Sequence, residues 1–182
     1  MSNSLYKKGL VPGKSSNVSC RFYENAVSKV AITRNNISKR DVTDVDVIII
    51  DMDGNTLKGN KTPSSEAQMH LGIYHQRNDI NGVVHTHSPY ATGFSFAGKP
   101  LKRLEGFSSI KNPYITSVDY SPPGSIELAR NTVEMMKKED VVILKNHGLV
   151  AAGVSLDEAA LLAEFIEDAA KTQLVEHLLK NK

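Results

Sequence analysis

The chain has 182 residues, 40% of them hydrophobic, and a formal net charge of +2 with acidic and basic residues intermixed. That length builds one domain with a sizeable core, so residues 1–182 read as a single domain. The balanced charge leaves no electrostatic footprint for nucleic acid or an anionic membrane, and no apolar run is long enough to span a bilayer. The single cysteine, Cys20, rules out an intrachain disulfide. With no secretory signal at Met1-Ser2-Asn3-Ser4, it points to a reducing, cytoplasmic setting.

In chain order, Leu5 to Leu10 read as the tail of a helix. Gly13 to Ser19 are rich in turn formers and lead into a strand over 18–23. A turn at Glu24-Asn25 and a second strand over 26–33 follow, then a turn at Asn35-Asn36. Val45 to Asp51 is a third strand whose apolar run predicts burial on both faces. Asp53-Gly54-Asn55 is a hairpin signal. Thr62-Pro63-Ser64-Ser65-Glu66 opens a helix, with Thr62 as its cap and Pro63 in its first position, running to about Arg77. A strand is predicted at 82–87, a short helix and loop within 90–112, and a strand over 115–120 stopped by Pro122-Pro123-Gly124. Ser125 to Lys138 is an amphipathic helix with Ile126, Ala129, Val133 and Met136 on its buried side. Val141 to Leu144 is a buried strand that turns at Asn146-His147-Gly148 into 149–152. Ser155 and Glu158 form a capping box for a last helix over 156–179. Hairpins mixed with helices predict an α/β domain: one central, mainly antiparallel sheet with helices on both faces.

The stretch that organises the chain is Val83-Val84-His85-Thr86-His87-Ser88-Pro89. Alternation along a strand puts His85 and His87 on one face, roughly 6.5–7 Å apart at Cα, with Thr86 on the other. Two imidazoles at that spacing can converge on one divalent ion, and catalytic zinc commonly takes three protein ligands. His147, in the turn after a buried strand, is a third candidate. Glu66, at the start of the helix before the histidine strand, is a fourth. Alone, each residue has an ordinary structural use: a satisfied core histidine, a turn histidine, a first-turn glutamate beside a helix dipole. The helix start at 63–66 offers backbone N–H groups with the Ser64 and Ser65 hydroxyls as an anion site. The Gly13–Asn17 turn adds N–H groups and Lys14.

Together, Gly13-x-x-x-Asn17-Val18-Ser19-x-Arg21, Pro63-Ser64-Ser65-Glu66, His85-Thr86-His87-Ser88 and Asn146-His147-Gly148-Leu149 resemble the class II aldolase/adducin-head family in order and spacing. The resemblance spans about Leu5 to Leu179. It implies a homotetramer with sites at subunit interfaces. It implies one zinc ion per subunit on His85, His87 and His147, with Glu66 as an extra ligand in the resting site and as the base that moves a proton. It places a phosphate pocket at Asn17, Ser64 and Ser65, with Lys14 and the 33–36 turn nearby. There Asn36 stands in for the family's glycine, because asparagine tolerates left-handed backbone angles. Ser16 stands where the family has another glycine. Glu105 lies near the position of a catalytic tyrosine in the aldolases.

The implied reaction is cleavage of a ketose 1-phosphate resembling L-fuculose 1-phosphate. The products are dihydroxyacetone phosphate and a lactaldehyde-like aldehyde, through a metal-stabilised enediolate. Two alternatives use the same zinc site: a pentulose-5-phosphate epimerase of the L-ribulose type and a methylthioribulose-1-phosphate dehydratase. A third is a non-catalytic adducin-like interaction module, which the three retained histidines argue against. Another divalent ion is compatible with three imidazoles.

Overall fold

The computed structural model describes residues 1–104 and 112–180. A short helix α1 (Ser2–Lys7) precedes the hairpin β1 (Asn17–Glu24) and β2 (Val27–Thr33), then β3 (Val47–Ile50) and β4 (Thr56–Lys58). Helix α2 (Ala67–Gln76) leads to β5 (Gly82–Thr86), the histidine strand, and α3 (Pro89–Phe96). Strand β6 (Thr116–Val118), helix α4 (Ile126–Met136), strands β7 (Val141–Leu144) and β8 (Gly148–Gly153), and the long helix α5 (Leu156–Lys180) complete the chain. The strands form one sheet in the order β4-β3-β2-β1-β5-β8-β7-β6. Among the described residues every pairing is antiparallel except that of β6 with β7. The expected α/β architecture is therefore the observed one.

The alternation of apolar residues along the strands builds two core layers. Val83, Val142, Leu144, Val150 and Ala152 face α2 and α4, while Val141, Ile143, Leu149 and Ala151 face α3 and α5. Each aliphatic side chain fully buried in these layers contributes about 1.5–3 kcal/mol. Leu5, Leu10 and Val11 close a third cluster over Val18 and Val84. Strand β5 is buried along its whole length, with neighbours β1 and β8 on its two edges. This central position fixes where the histidines emerge.

Three local expectations are corrected. The strand over 45–51 is shorter and buried on one face: Ile48 and Ile50 join the core, while Val47 and Ile49 are half-buried. The reason is coverage, since α3 and α5 pack over the β5–β8–β7 side of the sheet. The helix predicted to open at Thr62-Pro63 starts at Ala67. Tertiary pairing overrides the local signal there, because Pro63 bridges Arg34, the Ser64 N–H donates to the Thr33 carbonyl (3.2 Å), and the Asn35 N–H donates to that of Thr62 (2.9 Å). On α4, Ser125 caps as expected by accepting from the Leu128 N–H. Ile126 is 69% exposed, however, and Leu128 takes the buried position with Met136. At α5 the Ser155 hydroxyl accepts the Glu158 N–H (3.2 Å), which is the serine half of the capping box expected from the sequence.

Arg21 is buried and fixes the far end of α2. Its guanidinium donates to the carbonyls of Tyr74 (2.8 Å), Arg77 (3.1 Å), Asn78 (2.8 Å) and Ile80 (2.5 Å). The Tyr74 and Arg77 carbonyls belong to a helix end that leaves acceptors without intrahelical partners, those of Asn78 and Ile80 to the loop that follows, and a cation there also suits the helix dipole.

Candidate metal centre and pocket

His85 comes from β5, His87 from the residue after that strand ends, and His147 from the turn between β7 and β8. The β5–β8 ladder, with His85 opposite Val150 and Thr86 opposite Leu149, brings that turn over the end of β5. Asn146 takes a left-handed φ of 56° to form the turn. Gly148 allows the close approach: a Cβ there would lie 2.2 Å from the Thr86 carbonyl oxygen and 3.1 Å from His85 Cε1.

The three rings stand edge to face, with centroids 4.7–4.9 Å apart. Their ligand atoms all lie within 4.8 Å of one another, and Nε2 of His85 is 3.1 Å from Nε2 of His87. His85 Nδ1 sits 3.0 Å from the Leu149 carbonyl oxygen. A carbonyl only accepts, so Nδ1 carries a proton, and Nε2 is the nitrogen turned toward the cluster. That arrangement is typical of metal-ligating histidine. Burial, together with the nearby His85 ring, pushes His87 down to about 3 and His147 down to about 4. Both rings are neutral at pH 7, the form that binds metal.

Glu66 is the residue just before α2. Its Oε2 lies 3.3 Å from His85 Nε2 and its Oε1 3.6 Å from His147 Nε2. Asn17, opposite His85 in the β1–β5 ladder, donates its side-chain amide to Glu66 Oε2 at 2.8 Å. Burial works against the Glu66 charge, but the neighbouring histidines and the Asn17 amide outweigh it and the net direction is downward. Glu66 Oε1 and His147 Nδ1 are buried without hydrogen-bond partners. Three convergent imidazoles with an unpartnered carboxylate oxygen beside them are a donor set that fits a divalent ion.

A cavity of about 260 Å³ opens onto Glu66, His87 and His147, and Lys14, Asn17, Arg34, Asn36, Ser64 and Ser65 also line it. The structure thus brings together the sequence candidates with one exception: Glu105 lies outside the described residues. Asn36 has a φ of 56°, as a glycine substitute requires, and Ser16 has a φ of 91°. The anion site anticipated at 63–66 changes in kind. The Ser64 N–H is spent on Thr33, and the Glu66 N–H donates to the Ser64 hydroxyl at 3.3 Å. Arg34 was not foreseen as part of an ion-pair network. Its Nε bonds Asp46 at 2.7 Å, and Lys61 reaches the same oxygen at 3.0 Å. Arg34, Lys61 and Thr43 together hold the Asp46 carboxyl well below the usual range. His70, Ser19 and Tyr74 carry the remaining buried polar contacts behind Glu66. The signal that could have found them is the spacing Glu66, His70, Tyr74, one stripe on a helix.

Comparison with known proteins decides the family. The class II aldolase and adducin N-terminal domain matches residues 1–174. This chain belongs to that family. It is similar to an L-fuculose phosphate aldolase of Methanococcus maripaludis, 40% identical over 97% of this chain and 93% of the relative. A 5-deoxy-D-ribulose 1-phosphate aldolase of Bacillus thuringiensis is 34% identical over 92% of this chain and 78% of its own length. Among solved structures, an L-fuculose 1-phosphate aldolase superposes with a TM-score of 0.88 at 29% identity, covering 98% of this chain and 83% of that one. The chain is thus a class II aldolase, a lyase, whose histidine cluster can hold a metal ion. No helix among the described residues is long and apolar enough to cross a membrane.

Proposed function

We propose that this chain is a zinc-dependent aldolase that splits a ketose 1-phosphate into dihydroxyacetone phosphate and a short aldehyde. The observation that carries the reading is a cavity lined by two imidazoles of the three-histidine cluster, His87 and His147, by the buried Glu66 carboxylate and by two cationic side chains, Lys14 and Arg34. Cleavage breaks the C3–C4 bond, turns the C4 hydroxyl into an aldehyde, and leaves C3 to gain a proton. A divalent ion on His85, His87 and His147 supplies Lewis-acid polarisation of the ketose oxygens. Glu66, charged and within reach of the cluster, moves the proton at C3, the carbon next to the carbonyl. Lys14 and Arg34 attract the phosphate, and the hydroxyls of Ser64 and Ser65 donate to it, so that the carbon chain is held with C3 toward Glu66. The Asn17 amide donates one hydrogen to Glu66 and so holds the base, and since Asn17 also lines the cavity its second N–H is available to the phosphate.

The names of the two kinds of relative bear on the substrate. Cleaved between C3 and C4, L-fuculose 1-phosphate yields lactaldehyde and 5-deoxy-D-ribulose 1-phosphate yields acetaldehyde, with dihydroxyacetone phosphate common to both. We take L-fuculose 1-phosphate as the first substrate, a homotetramer as the assembly and the cytoplasm as the setting. The test measures dihydroxyacetone phosphate released from each sugar phosphate by purified protein, with a chelator and with zinc restored. Release that a chelator stops and zinc restores is the expected result. An isomeric sugar phosphate without triose phosphate would move the assignment to an epimerase. No product from zinc-loaded protein would overturn the aldolase reading.

A further inference from the structure

Strand β1 and helix α2 lie side by side with matched periods. Two residues of strand rise about 6.6 Å and four residues of helix about 6 Å. Asn17, Ser19 and Arg21 on one face of β1 therefore meet Glu66, His70 and Tyr74 on one stripe of α2. Each of the six is buried. The contacts form a line: Asn17 Nδ2 to Glu66 Oε2 (2.8 Å), His70 Nε2 to Asn17 Oδ1 (2.5 Å), Ser19 Oγ to His70 Nδ1 (2.6 Å), and Tyr74 Oη to Ser19 Oγ (2.8 Å) and to the Ser19 carbonyl (3.0 Å).

The hydrogens in this line run one way only. A carboxylate accepts, so Asn17 must turn its NH₂ to Glu66, which turns its carbonyl oxygen to His70. That oxygen accepts, so His70 carries its proton on Nε2. Nδ1 is then bare and accepts from the Ser19 hydroxyl, and the single Tyr74 hydrogen is left to the Ser19 oxygens, the carbonyl among them. Burial pushes His70 down to about 3, so the ring is a neutral single tautomer. If the Asn17 amide turned over, its oxygen would face Glu66 and its NH₂ would face the His70 Nε2–H. Both contacts would be lost, with acceptor against acceptor and donor against donor.

We propose that His70 is a positioning residue: its Nε2–H fixes the Asn17 amide so that Asn17 holds the Glu66 carboxylate aimed at the histidine cluster. This rests on the reading of Glu66 as the group that moves the proton. The His70 side chain does not line the cavity and hydrogen-bonds Asn17 and Ser19 rather than Glu66 or the cluster histidines, so its effect reaches the reaction through one amide. The outer partners of metal and catalytic groups commonly govern activity in this way.

The test uses zinc-loaded protein and three substitutions. His70→Leu removes the donor; kcat should fall roughly 10- to 100-fold while KM and bound zinc stay near wild type. His70→Gln places an amide N–H near the Nε2 position and should recover kcat to within several-fold. His70→Asn reaches only the Nδ1 position, satisfies Ser19 and should not recover it. Equal recovery by Asn and Gln, or a rise in KM at unchanged kcat, overturns the proposal. Should the variants not fold, nitrogen-15 NMR of wild-type histidines decides. A proton on Nε2 of the His70 ring, unchanged from pH 5 to 8, supports the proposal, and a proton on Nδ1 of that ring overturns it. Glu66→Gln separates the two readings. Full turnover in that variant overturns the base assignment and this proposal with it. An inert Glu66→Gln beside a fully active His70→Leu overturns this proposal alone.

Discussion

At the scale of single residues, the site depends on groups whose chemistry is fixed by neighbours. His87 and His147 are neutral ligand candidates with no structural duty comparable to that of His85, whose Nδ1 is tied to Leu149. His87→Ala or His147→Ala should therefore leave a folded protein that no longer retains stoichiometric zinc. Circular dichroism with metal analysis checks this, and retained zinc in either variant would remove that residue from the ligand set. Ser16 holds a φ of 91° and a buried hydroxyl without a partner. A left-handed backbone costs a non-glycine residue about 1–2 kcal/mol, partly offset by the greater freedom of unfolded glycine. Ser16→Gly should stabilise the chain by about 1 kcal/mol in denaturant unfolding.

Lys39 is 1% exposed and donates to the Ile37 carbonyl at 2.9 Å. Burial, with Arg34 nearby, pushes it down to about 8. Unfolded, it titrates near 10.4, so between these values the unfolded chain binds more protons and stability rises with pH. Lys39→Met should be the more stable form at pH 7, by no more than about 3 kcal/mol. Its advantage should shrink as pH climbs through 8 toward 10. An advantage independent of pH would show that Lys39 bears no such burden.

At the scale of elements, α2 is held at both ends by β1, through Asn17 to Glu66 at its start and Arg21 at its finish. Arg21→Met leaves the buried carbonyls of Tyr74 and Ile80 without their guanidinium. It should cost about 3 kcal/mol or more by thermal or denaturant melting, because unsatisfied buried acceptors carry their full desolvation penalty. A change under about 1 kcal/mol would mean that water replaces the guanidinium. The elements were legible where the pattern was strong: the histidine strand, the β7–β8 turn and the α5 cap needed nothing beyond periodicity and turn chemistry. The start of α2 was not, because Pro63 and Ser64 read as a good helix opening. Only their pairing with Thr33 and Arg34, some thirty residues earlier, removes them from it. Of the candidate site, the three histidines and Glu66 were legible as motifs. The Asn17–His70–Ser19–Tyr74 line was not, since its logic lies in two periods that match only when β1 and α2 are side by side.

At the scale of the whole molecule, the proposed zinc site joins β5, the β7–β8 turn and the start of α2 across sequence separations that span half the chain. An ion bound only by the folded state stabilises it by mass action, about 2.7 kcal/mol at a hundredfold excess over Kd. For a chain of this size that is a rise in Tm on the order of 5–10 °C. Differential scanning fluorimetry with and without zinc should show it for the wild type and not for His147→Ala. No shift in the wild type would argue that the cluster does not take up the ion.

The strand order has a consequence for synthesis on the ribosome. By the time β5 has emerged, β1 to β4 can already be laid beside one of its edges, but the slot against its other edge belongs to β8, the last strand among the described residues. A nascent chain halted before His147 would present a pair of imidazoles and an unpaired hydrophobic strand edge, a template for association with other chains. Insertion of β8 shuts that edge and delivers the third imidazole in the same event. Uptake of an ion at the proposed site would therefore mark the completion of the sheet, and a truncated or stalled chain would announce itself by holding none.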